Sequence, residues 1–140
     1  MAEPRFFHPE PLVENLELIL SDSASHHAGR VLRLKPGDEV VVFDGSGKDY
    51  SAKIIGSVKG NLHLKTNRGV LTARESPVMT ELAQGISSAD KMDFTLQKAV
   101  ELGVGRIVPL LTHKCLTRLT HDKVLRRLAH WRQIVISACE

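Results

Sequence analysis

Apolar and polar positions follow two different rhythms along this chain. In the first half the rhythm suits strands. Residues 39–44 read EVVVFD, and Leu62-His63-Leu64-Lys65 alternates apolar and polar. Both patterns predict strands with a buried face. Residues 16–20 (LELIL) and 50–58 (YSAKIIGSV) predict two more. Between them lie turn-forming groups: Pro36-Gly37-Asp38, Gly45-Ser46-Gly47-Lys48 and Lys59-Gly60-Asn61. Short strands with turns about every ten residues predict a small barrel. One helix is expected across it, over residues 24–34, capped within Ser21-Asp22-Ser23. Its apolar stripe is His27, Val31 and Leu34, joined by Ala24 and Ala28, with Leu32 at the margin.

The second half moves to a helical period. Met92, Leu96, Ala99, Val100 and Gly103 fall at i, i+4, i+7, i+8 and i+11. Asp90 is the expected N-cap, and Gly103 the residue that stops the helix in a left-handed conformation. Strands are expected on either side, over residues 80–86 and 106–111, the second with Pro109 near its end. Strand, helix and strand this close form a βαβ unit with parallel strands and a right-handed crossover. The polar loop after its first strand lies where open α/β sheets keep ligands. Residues 121–140 predict a last helix. Val124, Leu125, Leu128, Trp131, Ile134, Val135 and Ala138 form its apolar face. The polar run 72–77, ending on a proline, marks a boundary between domains 1–72 and 73–140. Two strands cannot cover both helices of the second domain, so residues 73–140 are expected to leave apolar surface open.

Charge changes the picture more than composition does. The net charge of +3 is unevenly distributed. Residues 1–72 hold nine basic and nine acidic side chains, and residues 73–140 hold ten and seven. Between residues 112 and 132 stand Lys114, Arg118, Lys123, Arg126, Arg127 and Arg132 against Asp122 alone. Such a cluster attracts a polyanion, or else lines a solvated helix face. No apolar run approaches the roughly 18 residues of a membrane span, and the start of the chain lacks the apolar stretch of a signal peptide. Cys115 and Cys139 have no zinc spacing and are expected as reduced thiols. A cytoplasmic protein without a metal is the resulting expectation.

Candidate chemistry concentrates in three places. The loop 85–91 has small residues, hydroxyls and Lys91 ahead of a helix N-terminus; it suits a phosphate or ribose, or is simply a polar βα loop. It matches neither a Walker loop nor a dinucleotide fingerprint. The segment His26-His27-Ala28-Gly29-Arg30-Val31-Leu32-Arg33-Leu34-Lys35 gathers three cations at one helix end. Adjacent histidines point about 100° apart on a helix and do not share a metal. Arg30 and Arg33 either grip phosphate bidentately or compensate the helix dipole. Gln97, Lys98 and Glu101 read as a surface ion pair or a contact site. Cys115, beside His113 and Lys114, has neighbours that lower a thiol pKa, but no catalytic constellation forms around it from spacing.

Taken together, these residues resemble a known family. The resemblance rests on Arg5-Phe6-Phe7, on His26 and His27 followed by Gly29-Arg30-Val31-Leu32-Arg33, and on Phe43-Asp44-Gly45. It continues through Arg74-Glu75-Ser76-Pro77, Gln84-Gly85, Asp90-Lys91-Met92-Asp93-Phe94, Gln97-Lys98-Ala99, Glu101-Leu102-Gly103-Val104, Ile107-Val108-Pro109-Leu110, Cys115 and the closing residues 131–140. The chain closely resembles the bacterial 16S ribosomal RNA (uridine-N3) methyltransferases, the small-subunit methyltransferase E group. The resemblance implies an α+β and α/β architecture: a small PUA-like β-barrel that helps bind RNA, then the N-terminal portion of a SPOUT domain with a trefoil knot. It implies S-adenosylmethionine as methyl donor, 16S ribosomal RNA in the small subunit as partner, and a homodimer. The family's knot and cofactor loops are expected beyond Glu140, so no cofactor residue is assigned in this chain, and the catalytic residue is unknown. The positions carried over as RNA-facing are Arg5, His27, Arg30, Arg33 and Lys91. The rival expectations are a non-catalytic RNA-binding module without the knot and a dimerisation fragment.

Overall fold

The computed structural model describes residues 3–72, 76–113, 115 and 120–140. The chain divides into two compact units, Met1–Ala73 and Arg74–Cys139. Each has its own buried cluster.

The first unit is built on five strands: β1 (Arg5–Phe7), β2 (Glu17–Ile19), β3 (Glu39–Phe43), β4 (Lys48–Val58) and β5 (Asn61–Leu71). Their order across the sheet is β1-β3-β4-β5-β2. The β1–β3 pair is parallel and the other three pairs are antiparallel. The expected barrel thus takes the form of a five-stranded mixed sheet whose end strands, β1 and β2, do not pair with each other among the described residues. Alternation sets its inner face. Val40 and Val42, Tyr50, Ala52 and Ile54, Leu62 and Leu64 are buried together with Phe6 and Leu18. Two register shifts in β4, at Tyr50/Ala52 and Ile54/Gly56, bend the long hairpin. Gly69 makes room for a core ring: a Cβ there would stand 2.5 Å from Cε1 of Tyr50.

Two buried hydroxyls tie the connections to this sheet. Thr66 Oγ1 accepts the Leu16 amide at 2.9 Å and donates to the Val13 carbonyl at 2.7 Å. Ser25 Oγ donates to the Leu20 carbonyl at 3.2 Å and accepts the Leu62 amide at 3.0 Å. Both are satisfied, as buried polar groups must be.

The helix expected over residues 24–34 is shorter and irregular. Helix α1 (Asp22–His26) begins at Ser21, whose hydroxyl accepts the Ala24 amide. It then widens into a π-turn, His27–Val31, closed by the Leu32 amide on the His27 carbonyl at 3.0 Å. Arg33 follows with φ +57°. The cause is downstream. Pro36 disfavours helical geometry at Lys35, so the chain must leave the helix early. Ala24 and Ala28 are buried, and the left-handed residue turns Leu34 back against the core. Val31 is 60% exposed and does not belong to the inward stripe.

The second unit contains β6 (Glu81–Gly85), α2 (Ala89–Glu101), β7 (Arg106–Leu110) and α3 (His121–Cys139). Strands β6 and β7 are parallel, in the register Ala83↔Val108. Helix α2 starts at Ser88 rather than Asp90, which sits in the first turn, where its charge still favours the helix dipole. The helix ends as its sequence predicts. Gly103 has φ +78°; its amide bonds the Val100 carbonyl, and the Val104 amide bonds the Ala99 carbonyl. That pair of bonds is a Schellman stop. Met92 and Leu96 bury against Trp131 of α3, with Ile86, Ile107, Leu128 and Ile134 at the margin. Leu125, expected on the apolar face of α3, is exposed. So are Val78, Met79, Phe94, Leu102 and Leu111, so apolar surface does remain open on this unit.

Candidate nucleic-acid interface

In the first unit, three of the RNA-facing candidates share one segment. His27 opens the π-turn, Arg30 lies in it, and Arg33 follows two residues after it. All three are exposed. A π-turn and a left-handed arginine in succession are unusual. Left-handed backbone costs a residue with a Cβ roughly 1–2 kcal/mol, and such strain concentrates at functional positions. Glycine suits that backbone better, so the fold itself has no need of an arginine there. The His27 ring also meets the Phe6 ring edge-on, 6.5 Å between centroids, which links the segment to β1.

Arg5 is held differently. Its Nη2 donates to Asp49 Oδ1 at 2.8 Å, and the guanidinium lies 4.6 Å over the Phe43 ring. It braces β1, β3 and β4 at once. Its Nε is buried without a hydrogen-bond partner among the described residues. The sequence offered no sign of this brace, because Asp49 and Phe43 are brought to Arg5 only by strand pairing. Nearby, burial raises the Asp44 carboxyl, but the Ser46 side chain and the Leu12 and Ser46 amides outweigh it and hold the group below its usual value. Asp44 thereby fastens the chain at Leu12 and the turn at Ser46.

Lys91 belongs to the second unit, exposed in the first turn of α2. The carboxyl ends of β6 and β7 meet at Cys115. Its thiol lies 3.4 Å from the Ile86 carbonyl and 3.7 Å from that of Leu110. The Thr112 amide donates to the sulfur at 3.3 Å, and the Thr112 hydroxyl lies 3.4 Å away. The Thr112 hydroxyl, then its amide, lower the thiol pKa from its ordinary value. Sequence spacing offered no sign of these Thr112 contacts; Lys114 lies outside the described residues, as do Arg74 and Arg118. Of the basic residues on α3, Lys123, Arg126 and Arg132 are exposed and Arg127 is half-buried. Lys98 pairs with Glu101 at 2.6 Å, which also accepts from Gln97; this is the surface cluster that the spacing predicted. No group of three metal-ligating side chains forms among the described residues. None of their helices is long and apolar enough to cross a membrane.

Comparison with known proteins fits both units. Residues 74–140 match the sequence model of an RNA methyltransferase domain, and residues 20–66 match that of an RNA methyltransferase PUA domain. The chain belongs to this RNA methyltransferase family. It is 35% identical, over 97% of its length, to the ribosomal RNA small subunit methyltransferase E of Buchnera aphidicola (strain APS), of which it covers 54%. Among solved structures it resembles a putative methyltransferase from Legionella pneumophila with bound S-adenosylmethionine. The TM-score is 0.92 at 32% identity, over 99% of this chain and 57% of that one. A ribosomal RNA small subunit methyltransferase E from Neisseria gonorrhoeae, bound to S-adenosylmethionine, aligns with a TM-score of 0.86 at 40% identity, over 99% and 56%. The chain thus spans about half the length of the curated relatives it matches.

Proposed function

We propose that this chain serves S-adenosylmethionine-dependent methylation of N3 of a uridine in 16S ribosomal RNA, in the cytoplasm and as part of a homodimer. The first unit holds the RNA. The observation that carries this reading is the exposed pair Arg30, in the π-turn, and Arg33, left-handed just after it, in a PUA-type unit. Guanidinium groups bind phosphate bidentately and so set the register of an RNA backbone. His27 adds a ring that stacks or hydrogen-bonds beside them. Arg5, ion-paired with Asp49, stands on the neighbouring strand as a half-buried RNA-facing candidate, and Lys91 places a cation at the head of α2 in the second unit.

Uridine N3–H is weakly acidic, so its methylation needs the proton removed or its loss assisted, with the base held out of the stack. The arginines steady the backbone while that happens. S-adenosylmethionine supplies the electrophilic methyl group. The polar groups described at the carboxyl edge of β6 and β7 are satisfied by one another: Cys115 and Thr112 with the strand-end carbonyls, Gln84 with the Gly85 carbonyl. They do not form a cradle for that cofactor, and none of them is assigned to it.

The test is charge reversal at Arg30 and Arg33 together. RNA binding weakens, and the slope of log affinity against log salt falls by about one per arginine lost. Unchanged affinity at several salt concentrations overturns the reading. A second reading, a non-catalytic RNA-binding module, is favoured by the described polar groups at the β6–β7 edge being satisfied by one another. It predicts RNA binding with no heat on titrating S-adenosylmethionine into this chain.

A further inference from the structure

The outward face of the first sheet carries a row of charges unrelated to the π-turn. In register across β3, β4, β5 and β2 stand Glu39, Lys53, Lys65 and Glu17. Their strand neighbours Val40, Ala52, Ile54, Leu64 and Leu18 are buried, so these four side chains point the other way. All four are exposed. The order is acid, base, base, acid. The two lysines therefore stand directly opposite on adjacent antiparallel strands, about 5 Å apart at Cβ, an arrangement that destabilises a sheet.

The flanking acids do not remove the conflict. Glu17 turns to His63, with Oε2 3.4 Å from Nε2. Neither Lys53 nor Lys65 makes an ion pair or side-chain hydrogen bond with a described residue. Sheet pairing alone would be better served by alternating signs. An anion between the two ammonium groups turns the repulsion into a shared attraction, and the glutamates at both ends confine that attraction to the two central strands.

We propose that Lys53 and Lys65 form a second RNA contact, holding one backbone phosphate on the outward face of the sheet. The contact is separate from the π-turn, because Ala24 and Ala28 place α1 and the π-turn on the inward face. Lysines act on phosphate as point charges without bidentate geometry, so this contact adds affinity and no base preference. The inference rests on the reading of the first unit as RNA-binding.

The experiment uses the full chain and a fluorescein-labelled RNA stem-loop, with anisotropy measured at several salt concentrations. Three variants are compared: K53Q with K65Q, K65E alone, and R30E with R33E. The double glutamine variant weakens binding and lowers the salt slope by about one per lysine removed. K65E weakens binding too, because it sets an anion where the phosphate is held. An unchanged salt slope in the double glutamine variant, with R30E/R33E impaired, overturns this inference and leaves the RNA reading standing. Unchanged binding by K65E also overturns it. Failure of the unsubstituted chain to bind the RNA overturns both.

Discussion

The two units solve the same problem with different success. The first gathers residues from all five strands and α1 into one buried cluster, with Thr66 and Ser25 satisfied inside it. The second buries Met92, Leu96 and Trp131 and leaves Phe94, Leu102, Val78 and Met79 in the open. A five-stranded sheet with a helix on its inner face can enclose apolar side chains. Two parallel strands under two helices have too little area. The lesson is that a good local pattern does not ensure a complete core. Helix α2 has a well-formed stop at Gly103 and an apolar stripe, and still ends beside exposed leucine.

Core truncation puts this contrast to the sharpest test. Leu64 is fully buried and Leu96 nearly so. Leu64→Ala leaves a cavity in a closed core and costs about 4 kcal/mol, whereas Leu96→Ala, in a cluster whose margin (Ile86, Ile107, Leu128, Ile134) is only partly buried and can close in, costs about 2 kcal/mol. Denaturant melts of the two variants decide it; equal losses would end the distinction between the cores. A smaller effect separates the polar ties. Thr66→Val strands the Leu16 amide and costs about 1–3 kcal/mol. His130→Ala removes the 2.8 Å bond to Asp93 between α2 and α3, but that pair is largely exposed and its loss costs about 0.5 kcal/mol or less. A larger loss for His130→Ala would show that the second unit depends on polar ties where the first depends on packing.

The smallest expected effect is on reactivity. Thr112 favours the thiolate of Cys115, so its pKa lies below the ordinary value. Alkylation by iodoacetamide should then reach half its maximal rate at a lower pH than for a free thiol. Thr112→Val keeps the amide and removes the hydroxyl, the larger cause, so the midpoint should rise. A midpoint unmoved by Thr112→Val would place the cause elsewhere. Because thiolate is the reactive form, the rate rises with pH in both proteins, and only the midpoint differs.

Legibility followed the range of the interactions. The period-2 and period-3.6 patterns placed β3, β4, α2, β7 and α3 to within a few residues. The strand β1 was missed, because three residues carry too little pattern. Strand β5 runs to Leu71, well past the alternating stretch that announced it, because β4 supplies a partner along its whole length. The segment from α1 to Arg33 was misread as one regular helix: Pro36 and the pull of Leu34 toward the core decided its shape. Among the candidate residues, the exposure of Arg30, Arg33 and Lys91 follows from their polarity, but the bracing of Arg5 by Asp49 and Phe43 does not.

By itself, then, the sequence determined the elements whose causes lie within a few residues: the capped helix α2, its glycine stop, the turns, the parallel βαβ order and the arginines at a helix end. Only the tertiary structure decided which charges face one another. Strand register set Lys53 against Lys65, carried Asp49 to Arg5 and joined Cys115 to the ends of β6 and β7. Register depends on pairings between residues far apart in the chain, and local spacing holds no record of them.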